Sequence, residues 1–488
     1  MLKKKKFFLL DSFYSFLPGI FSIFISIFSI PIFLKTLGDS YFGQYLIQNM
    51  FLSLGFLFNF GLYRIIIINF KKQKNFINIS QNTYYFYINL LLGFIFTSVL
   101  MVIFFILGKY NPFKTLDLLL NKYIFFGIIL TSLYFTFESI LRVNDKFKIL
   151  SVYNFFFNSI AFTMPSFYLL GKKNLIDNYE ILNYPEEIFI IVIYIKFIII
   201  FITYIYLIKS NILNIYNLNI NLFNNYKLLI KEIFFATIQS LSIFLNNITD
   251  KIFVKITLGN QYLSVYSISQ QIAAKSTVLI TAISTVFFPK VSKEIRNSRK
   301  KKLFKYIIRI TIVFTGLINF FSFPFLEIIL QFWLGKNFSS TYVFLLKIFL
   351  FYSFYASLNF VISQYLDSEK LNKNNSLIDI SFYIISIIFF LFIFIYKIEK
   401  IELFAYVILI REFLLLLFRY SKFNIYFKDL KNEIFISILM TIFFIISILY
   451  SNLNLDLFLI SALLTSILFF NNIFLKKYFT SKFKRIFN

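Results

Sequence analysis

Apolar windows of membrane-crossing length dominate the pattern of this chain. Hydrocarbon about 30 Å thick is crossed by roughly 20 helical residues, and fourteen nearly uncharged windows of that size lie between Lys, Arg, Asn, Gly or Pro residues. These spans, numbered 1 to 14, cover approximately residues 12–34, 41–63, 84–108, 119–141, 149–170, 188–208, 230–254, 262–288, 305–332, 341–366, 377–396, 401–420, 434–451 and 456–475. The pattern predicts an all-α integral membrane protein with about fourteen transmembrane helices. Because only a short charged turn separates spans 11 and 12, a merged pair is the alternative.

Composition supports the same class and excludes several others. Of the 488 residues, 59% are hydrophobic and 15% charged, against about 45–50% and 25% in soluble domains, so the excess apolar surface must face lipid. With no cysteine and no histidine, disulfides, thiolate or imidazole metal sites and Ser-His catalysis are excluded. No loop is long enough for a soluble catalytic domain. We therefore expect no catalytic residue, no metal and no cofactor.

The basic residues predict the orientation in the membrane. The formal charge is +27, and cytoplasmic loops account for such an excess in membrane proteins, so no nucleic acid partner is needed. With both termini in the cytoplasm, the cytoplasmic segments hold 34 Lys and Arg residues and the outer segments 11. Residues 3–6, four lysines, are then a cytoplasmic flank of a retained first helix rather than part of a signal peptide.

An internal repeat organises the spans into two units. The segment TLGDSYFGQYLI at 36–47 returns as TLGNQYLSVYSI at 257–268, and LGK at 107–109 returns at 334–336. Each pair lies at the same place in a six-span unit, and chance similarity is the alternative. Because six is even, the two units are parallel, related by a pseudo-twofold axis along the membrane normal. We predict an N-terminal lobe (1–210), a C-terminal lobe (211–425), and two additional helices with a basic cytoplasmic tail (426–488).

Three cations lie near the middle of predicted spans. A charge at mid-membrane costs at least ~2.5–3.5 kcal/mol on insertion scales, so it should face the protein interior or a water-filled cavity. Lys196, Lys275 and Arg411 occupy such positions in spans 6, 8 and 12. They are the predicted binding site for an anionic head group, and structural ion pairs are the alternative.

Other polar residues recur at helical spacing on spans 2, 7 and 8. Those assigned to hydrogen bonding inside a polar cavity are Gln44, Gln48, Gln239, Asn246 and Gln271. Two carboxylates, Asp250 and Glu138, could carry a coupling proton or ion, and for Asp250 a position at the membrane interface is the alternative.

Several motifs resemble those of a known family. The first two spans carry Pro31, then Leu-Gly at 37–38, Tyr41 and Gly43, then Gly-Leu at 61–62 and Arg64. The second half carries Asp250 and Lys251, FFPKVSKE at 287–294 and FWLGKNF at 332–338. In order and spacing these residues resemble the polysaccharide flippases of the Wzx type in the MOP superfamily, over residues 12 to about 366.

The resemblance implies a flippase that works by alternating access. It would move an undecaprenyl-pyrophosphate-linked oligosaccharide across the bacterial inner (plasma) membrane for surface polysaccharide biosynthesis. Its partners would be that substrate, the membrane lipids and a polysaccharide polymerase. The alternatives are a MATE-like drug/cation antiporter, another lipid flippase, and a membrane glycosyltransferase or O-antigen polymerase.

Overall fold

A computed structural model describes residues 2–59, 61–69, 77–108, 122–172, 184–213, 226–293, 297–335, 338–369 and 371–422. Within these ranges every regular element is helical and none is a strand. The all-α class is therefore confirmed. Predicted spans 13 and 14 lie outside the described residues, so the count of fourteen helices stays a prediction.

The described residues up to 213 form eight helices and one π-helical turn. They are α1 (Leu2–Phe51), α2 (Leu54–Phe58), α3 (Leu62–Asn69), α4 (Ile77–Gly108), α5 (Lys122–Val143), α6 (Phe147–Asn154), the π-helical turn Phe155–Ile160, α7 (Ala161–Lys172) and α8 (Tyr184–Lys209).

Between residues 226 and 422, the part of the chain that the structure describes forms eight more helices and two 3-10 turns. They are α9 (Tyr226–Leu258), α10 (Asn260–Ala274), the 3-10 turn Lys275–Thr277, α11 (Val278–Lys293), α12 (Asn297–Ser322), the 3-10 turn Phe323–Phe325, α13 (Leu326–Leu334), α14 (Ser340–Ser368), α15 (Asn372–Ile395) and α16 (Ile401–Lys422).

Each of the first twelve predicted spans coincides with one helix or with consecutive helical segments. Six described helices are individually long and apolar enough to cross a membrane, and a bent pair makes a seventh span. The bent pair joins Asn260–Thr277 to Ile280–Phe288 at 55°. Spans 11 and 12 are separate helices, because the chain turns at Lys397 with a φ of 49°.

The two TLG turns of the repeat have the same backbone conformation. Gly38 interrupts α1 with φ 73° and ψ 168°, and Gly259 joins α9 to α10 with φ 93° and ψ 179°. This region of φ/ψ space is essentially reserved for glycine. The equivalence of Gly38 and Gly259 agrees with the repeat, while the division into two lobes stays a prediction.

The Gly38→Ala variant should be less stable than the parent protein. The backbone at this turn costs a residue with a Cβ about 1–3 kcal/mol, although nothing lies within 4 Å of the added atom. Gly93, in α4, is the matched control, because it has equal space and no positive φ. Thermal unfolding in detergent should show a lower Tm for Gly38→Ala and no loss for Gly93→Ala. Equal melting temperatures would show that the turn is not held in this conformation.

The buried core joins the two halves along α1. One cluster of buried residues unites Phe33 and Tyr45 of α1 with Tyr266 of α10 and Phe349 of α14. Other clusters lie within the first half around α5 and within the second half around α14. Helix α1 also packs directly along α10 and α11. The contact between the halves therefore runs along the helices that carry predicted site residues.

Candidate functional site

Lys275 lies at an interruption of span 8. It begins the 3-10 turn between α10 and α11, and its side chain is half-buried. The Nζ atom donates to the carbonyl oxygen of Ser22 at 3.2 Å and to the Ser22 hydroxyl at 3.4 Å. A cation from the second half is thus held by neutral oxygens of α1 in the first half.

Lys196 of α8 lies beside a second irregular segment. Its half-buried ammonium group sits 4.7 Å from the ring centroid of Phe157, in the π-helical turn. Phe155 of the same turn packs on Phe21 at a centroid distance of 4.9 Å, and Phe21 precedes the serine that binds Lys275. Both lysines therefore lie where a helix is interrupted by an irregular turn. Such π-helical and 3-10 turns inside long helices are frequent at functional sites.

Neither lysine forms an ion pair with a carboxylate in the described part of the chain. Structural ion pairs are the alternative for both residues. A half-buried ammonium group without a counter-charge is costly, and an anion placed nearby would lower that cost. Lys196 and Lys275 therefore fit the anion-binding hypothesis better than the structural alternative.

Arg411 of α16 has a different environment. It is 5% exposed, and its Nη2 atom pairs with the carboxylate of Glu412 at 3.1 Å. Glu412 in turn accepts a hydrogen bond from Asn359 of α14 at 2.8 Å. No contact within the described residues joins Arg411 to Lys196 or Lys275. Its contacts are those of the structural ion pair, so its role in anion binding has the weakest support of the three.

The predicted polar residues differ in how their amide groups are satisfied. Gln48 of α1 is fully buried, and neither atom of its amide has a partner among the described residues. The side-chain oxygen of Asn246 also lacks one. Gln239 instead donates to Ser363 of α14 at 3.0 Å, whereas Gln44 and Gln271 are half-buried. Gln48 and Asn246 have free capacity for hydrogen bonds to water or a sugar hydroxyl.

The two carboxylates are both buried. Asp250 of α9 is 1% exposed and accepts hydrogen bonds from Tyr266 at 3.0 Å and Gln270 at 3.4 Å. Asp250 therefore lies in the protein interior, which does not favour the alternative of a position at the membrane interface. Glu138 of α5 pairs with Arg142 one turn later at 2.5 Å.

The second half contains a buried polar network whose residues the sequence analysis did not identify. Arg419 of α16 is 2% exposed and donates to Asp379 of α15 at 2.6 Å and to Asn375 at 2.8 Å. Arg142 of α5 is buried and paired with a carboxylate in the same way. The available signal was the spacing of Asn375 and Asp379, four positions apart near the start of one span, together with Arg419 near the end of the next.

Comparisons with known proteins relate this architecture to a transporter fold. Residues 197–343 match the model of a family described as polysaccharide biosynthesis protein. No curated protein matches the chain in sequence.

Several solved structures share the fold at low sequence identity. A mutant of the Vibrio cholerae MATE transporter VcmN is 12% identical, with a TM-score of 0.57, 86% of this chain covered and 98% of that one. A MATE transporter in complex with MaD5 is 10% identical, with a TM-score of 0.61 and coverage of 87% and 97%. A MOP superfamily transporter from Pyrococcus furiosus, described as having a binding pocket of reverse polarity, is 12% identical, with a TM-score of 0.55 and coverage of 87% and 94%.

These matches show a fold shared with integral membrane transporters. The fold agrees with the resemblance that the sequence motifs indicated. The chain has the fold of the MATE transporters of the MOP superfamily and matches a polysaccharide biosynthesis family over residues 197–343.

Proposed function

We propose that the protein is a flippase that moves an undecaprenyl-pyrophosphate-linked oligosaccharide across the bacterial plasma membrane by alternating access. The observation that carries this proposal is the pair Lys196 and Lys275. Both are cations near the middle of their spans, and both lack a carboxylate partner among the described residues. An anionic head group is the ligand that such residues favour.

The chemistry of a lipid-linked sugar fits the distribution of polar groups. Its pyrophosphate must cross hydrocarbon, and cations within the spans would offset the cost of removing it from water. Its sugar hydroxyls require hydrogen-bonding partners, which the unsatisfied groups of Gln48 and Asn246 supply. Its prenyl chain needs no protein site because it remains in the lipid.

The sign of the free charges also separates this proposal from a drug/cation antiporter. A site for cations should present unpaired carboxylates. Glu138 is paired with Arg142 and Glu412 with Arg411, and the buried carboxylate of Asp250 interacts electrostatically with Arg411. In the Pyrococcus furiosus transporter, the reverse polarity of the binding pocket suggests a different function for that protein. By the same reasoning, cationic lysines favour an anionic substrate here.

Asp250 is the better of the two carboxylates for coupling transport to a proton or ion. Glu138 forms an ion pair with Arg142. Asp250 instead accepts hydrogen bonds from the neutral side chains of Tyr266 and Gln270 and from the backbone N–H of Lys251, and its interaction with Arg411 is a longer-range electrostatic one. A polysaccharide polymerase that uses the exported repeat unit would then act on the outer side of the same membrane.

The proposed orientation places both termini in the cytoplasm. Because the chain has no native cysteine, single cysteines report the side of the membrane without background. Lys301 and Lys397 are both exposed and lie on the predicted cytoplasmic and outer sides. In intact cells, an impermeant maleimide should label Lys397→Cys and leave Lys301→Cys unlabelled until the membrane is opened. Labelling of Lys301→Cys in intact cells would show that the orientation is the opposite of the proposed one.

The function is tested by reconstitution in liposomes of neutral phospholipid. Purified protein should speed the exposure of an undecaprenyl-pyrophosphate-linked oligosaccharide to an enzyme that cleaves it on one side only. The same liposomes loaded with ethidium test the antiporter. Ethidium export without movement of the lipid-linked sugar would refute the flippase.

A further inference from the structure

Two contacts join α1 to the interrupted span 8 at the same level. Lys275 binds Ser22 through its ammonium group, and the side chain of Val278 lies directly against Gly19. Gly19 and Ser22 are three positions apart on α1, and Lys275 and Val278 are three positions apart on span 8. Residues at this spacing lie on one face of a helix, so the two contacts are neighbours on one pair of facing surfaces. We call this group of four residues the seam.

The seam has no room for a larger residue on α1. A Cβ added to Gly19 would overlap Val278, and the ideal Cβ position is 3.4 Å from the Cβ atom of Val278. Glycine at this position therefore permits the approach that brings the Lys275 ammonium group to Ser22. The Gly19–Val278 contact and the Ser22–Lys275 hydrogen bonds therefore depend on each other.

The polar contact gives the ammonium group of Lys275 hydrogen-bond acceptors but no negative charge to balance its own. The oxygens of Ser22 are neutral, and they have other partners: the hydroxyl donates to the Gly19 carbonyl at 2.8 Å, and the Ser22 carbonyl accepts from the Ser26 hydroxyl at 2.7 Å. Hydrogen bonds between a cation and an ionised oxygen are roughly twice as strong as neutral ones. A phosphate oxygen is therefore a better partner for Lys275 than Ser22 is.

We infer that the Lys275–Ser22 contact is a latch that a pyrophosphate group opens by taking Lys275 away from Ser22. The inference rests on the proposed function, because it needs an anionic substrate. Lys275 leads the 3-10 turn at which span 8 bends by 55°, and such turns are hinges within helices. Substrate binding then loosens the seam between α1 and α11, which links head-group recognition to separation of the two halves.

A double-cysteine variant tests the latch directly. Replacing Val278 removes the Cγ1 methyl group that a Cβ at position 19 would overlap. The remaining 3.4 Å separation of the two Cβ positions is close to that of a disulfide, about 3.5–4.5 Å. In the purified Gly19→Cys/Val278→Cys protein, copper phenanthroline should form the disulfide rapidly. Saturating geranyl pyrophosphate should slow its formation several-fold, and geraniol should not. With Lys275→Gln added, the rate should be low and independent of geranyl pyrophosphate.

Native fluorescence gives a second measurement without a change in the seam. The chain has one tryptophan, Trp333, whose Nε1 donates to the Ile27 carbonyl of α1 at 2.6 Å. Geranyl pyrophosphate should increase acrylamide quenching of Trp333 in the unmodified protein and have no effect in Lys275→Gln.

The outcomes separate the latch from the proposed function. Binding of geranyl pyrophosphate, measured by calorimetry, with unchanged cross-linking and quenching would overturn the latch and leave the anionic substrate standing. An equal effect of the ligand in Lys275→Gln would also overturn the latch. Failure of geranyl pyrophosphate to bind at all would overturn both.

Discussion

The Lys275→Gln variant should translocate the lipid-linked oligosaccharide at least about tenfold more slowly than the parent protein, since losing one close charge pair removes more than about 1.4 kcal/mol. Glutamine keeps the approximate size of the side chain and removes the charge. Lys275 has only neutral partners among the described residues, so the substitution leaves no unpaired carboxylate behind. The liposome assay measures the rate, and size-exclusion chromatography checks that folding is retained.

Matched substitutions of other cations define the specificity of this effect. Lys196→Gln should lower the rate in the same way, because the ammonium group of Lys196 packs on the ring of Phe157 and has no carboxylate partner among the described residues. Lys347→Gln is the control, since Lys347 also packs on a ring, that of Phe323 at 5.4 Å, but lies in the first third of span 10. If Lys347→Gln and Lys275→Gln slow transport equally, the effect comes from general loss of positive charge and not from a site.

Arg411→Gln should behave differently from the two lysine variants. It leaves Glu412 without its ion-pair partner in a buried environment, and its main effect should be lower thermal stability. If Arg411→Gln abolished transport without changing stability, the result would support a role for Arg411 in anion binding.

The Arg419→Met variant should destabilise the protein strongly, by about 3–5 kcal/mol, as is typical when one member of a buried ion pair is removed. Arg419 is 2% exposed and holds Asp379 at 2.6 Å. The unfolding temperature of the purified protein in detergent is the measurement. Lys422→Met, three residues later on the same helix at an exposed position, should melt like the parent protein.

A second substitution separates the charge from the packing. Arg419→Met combined with Asp379→Leu removes both charges and should recover much of the lost stability. If the double variant is no more stable than Arg419→Met, the hydrogen bonds of Arg419 to Asn375 and Asn359 carry the stability instead of the ion pair.

The helices could be predicted from the sequence because membrane insertion imposes a strong local pattern. A window of about 20 apolar residues has no other stable structure in lipid, so the first twelve spans fall on described helices. The turn at Gly38 was also predictable, since the repeat placed the same Leu-Gly pair at Gly259. The separate helices α15 and α16 followed from a charged turn too polar to lie within a membrane.

The partners of the polar residues could not be predicted in the same way. Lys275 and Ser22 are 253 positions apart, and no local pattern determines which helices meet. The loop-charge rule counts residues by sequence position, so it gives no information on the buried carboxylate partners of Arg142 and Arg419. The π-helical turn beside Lys196 depends on packing against α1 and leaves no signature in hydrophobic spacing.

The most direct test of the central claim is equilibrium binding of two probes of opposite charge to the purified protein. Geranyl pyrophosphate should bind saturably, and its affinity should fall at least about tenfold in the Lys196→Gln/Lys275→Gln double variant, as expected when charge-assisted contacts are lost. Ethidium should show no saturable binding to either protein. Saturable binding of ethidium together with an unchanged affinity for geranyl pyrophosphate in the double variant would contradict an anionic substrate site at these lysines.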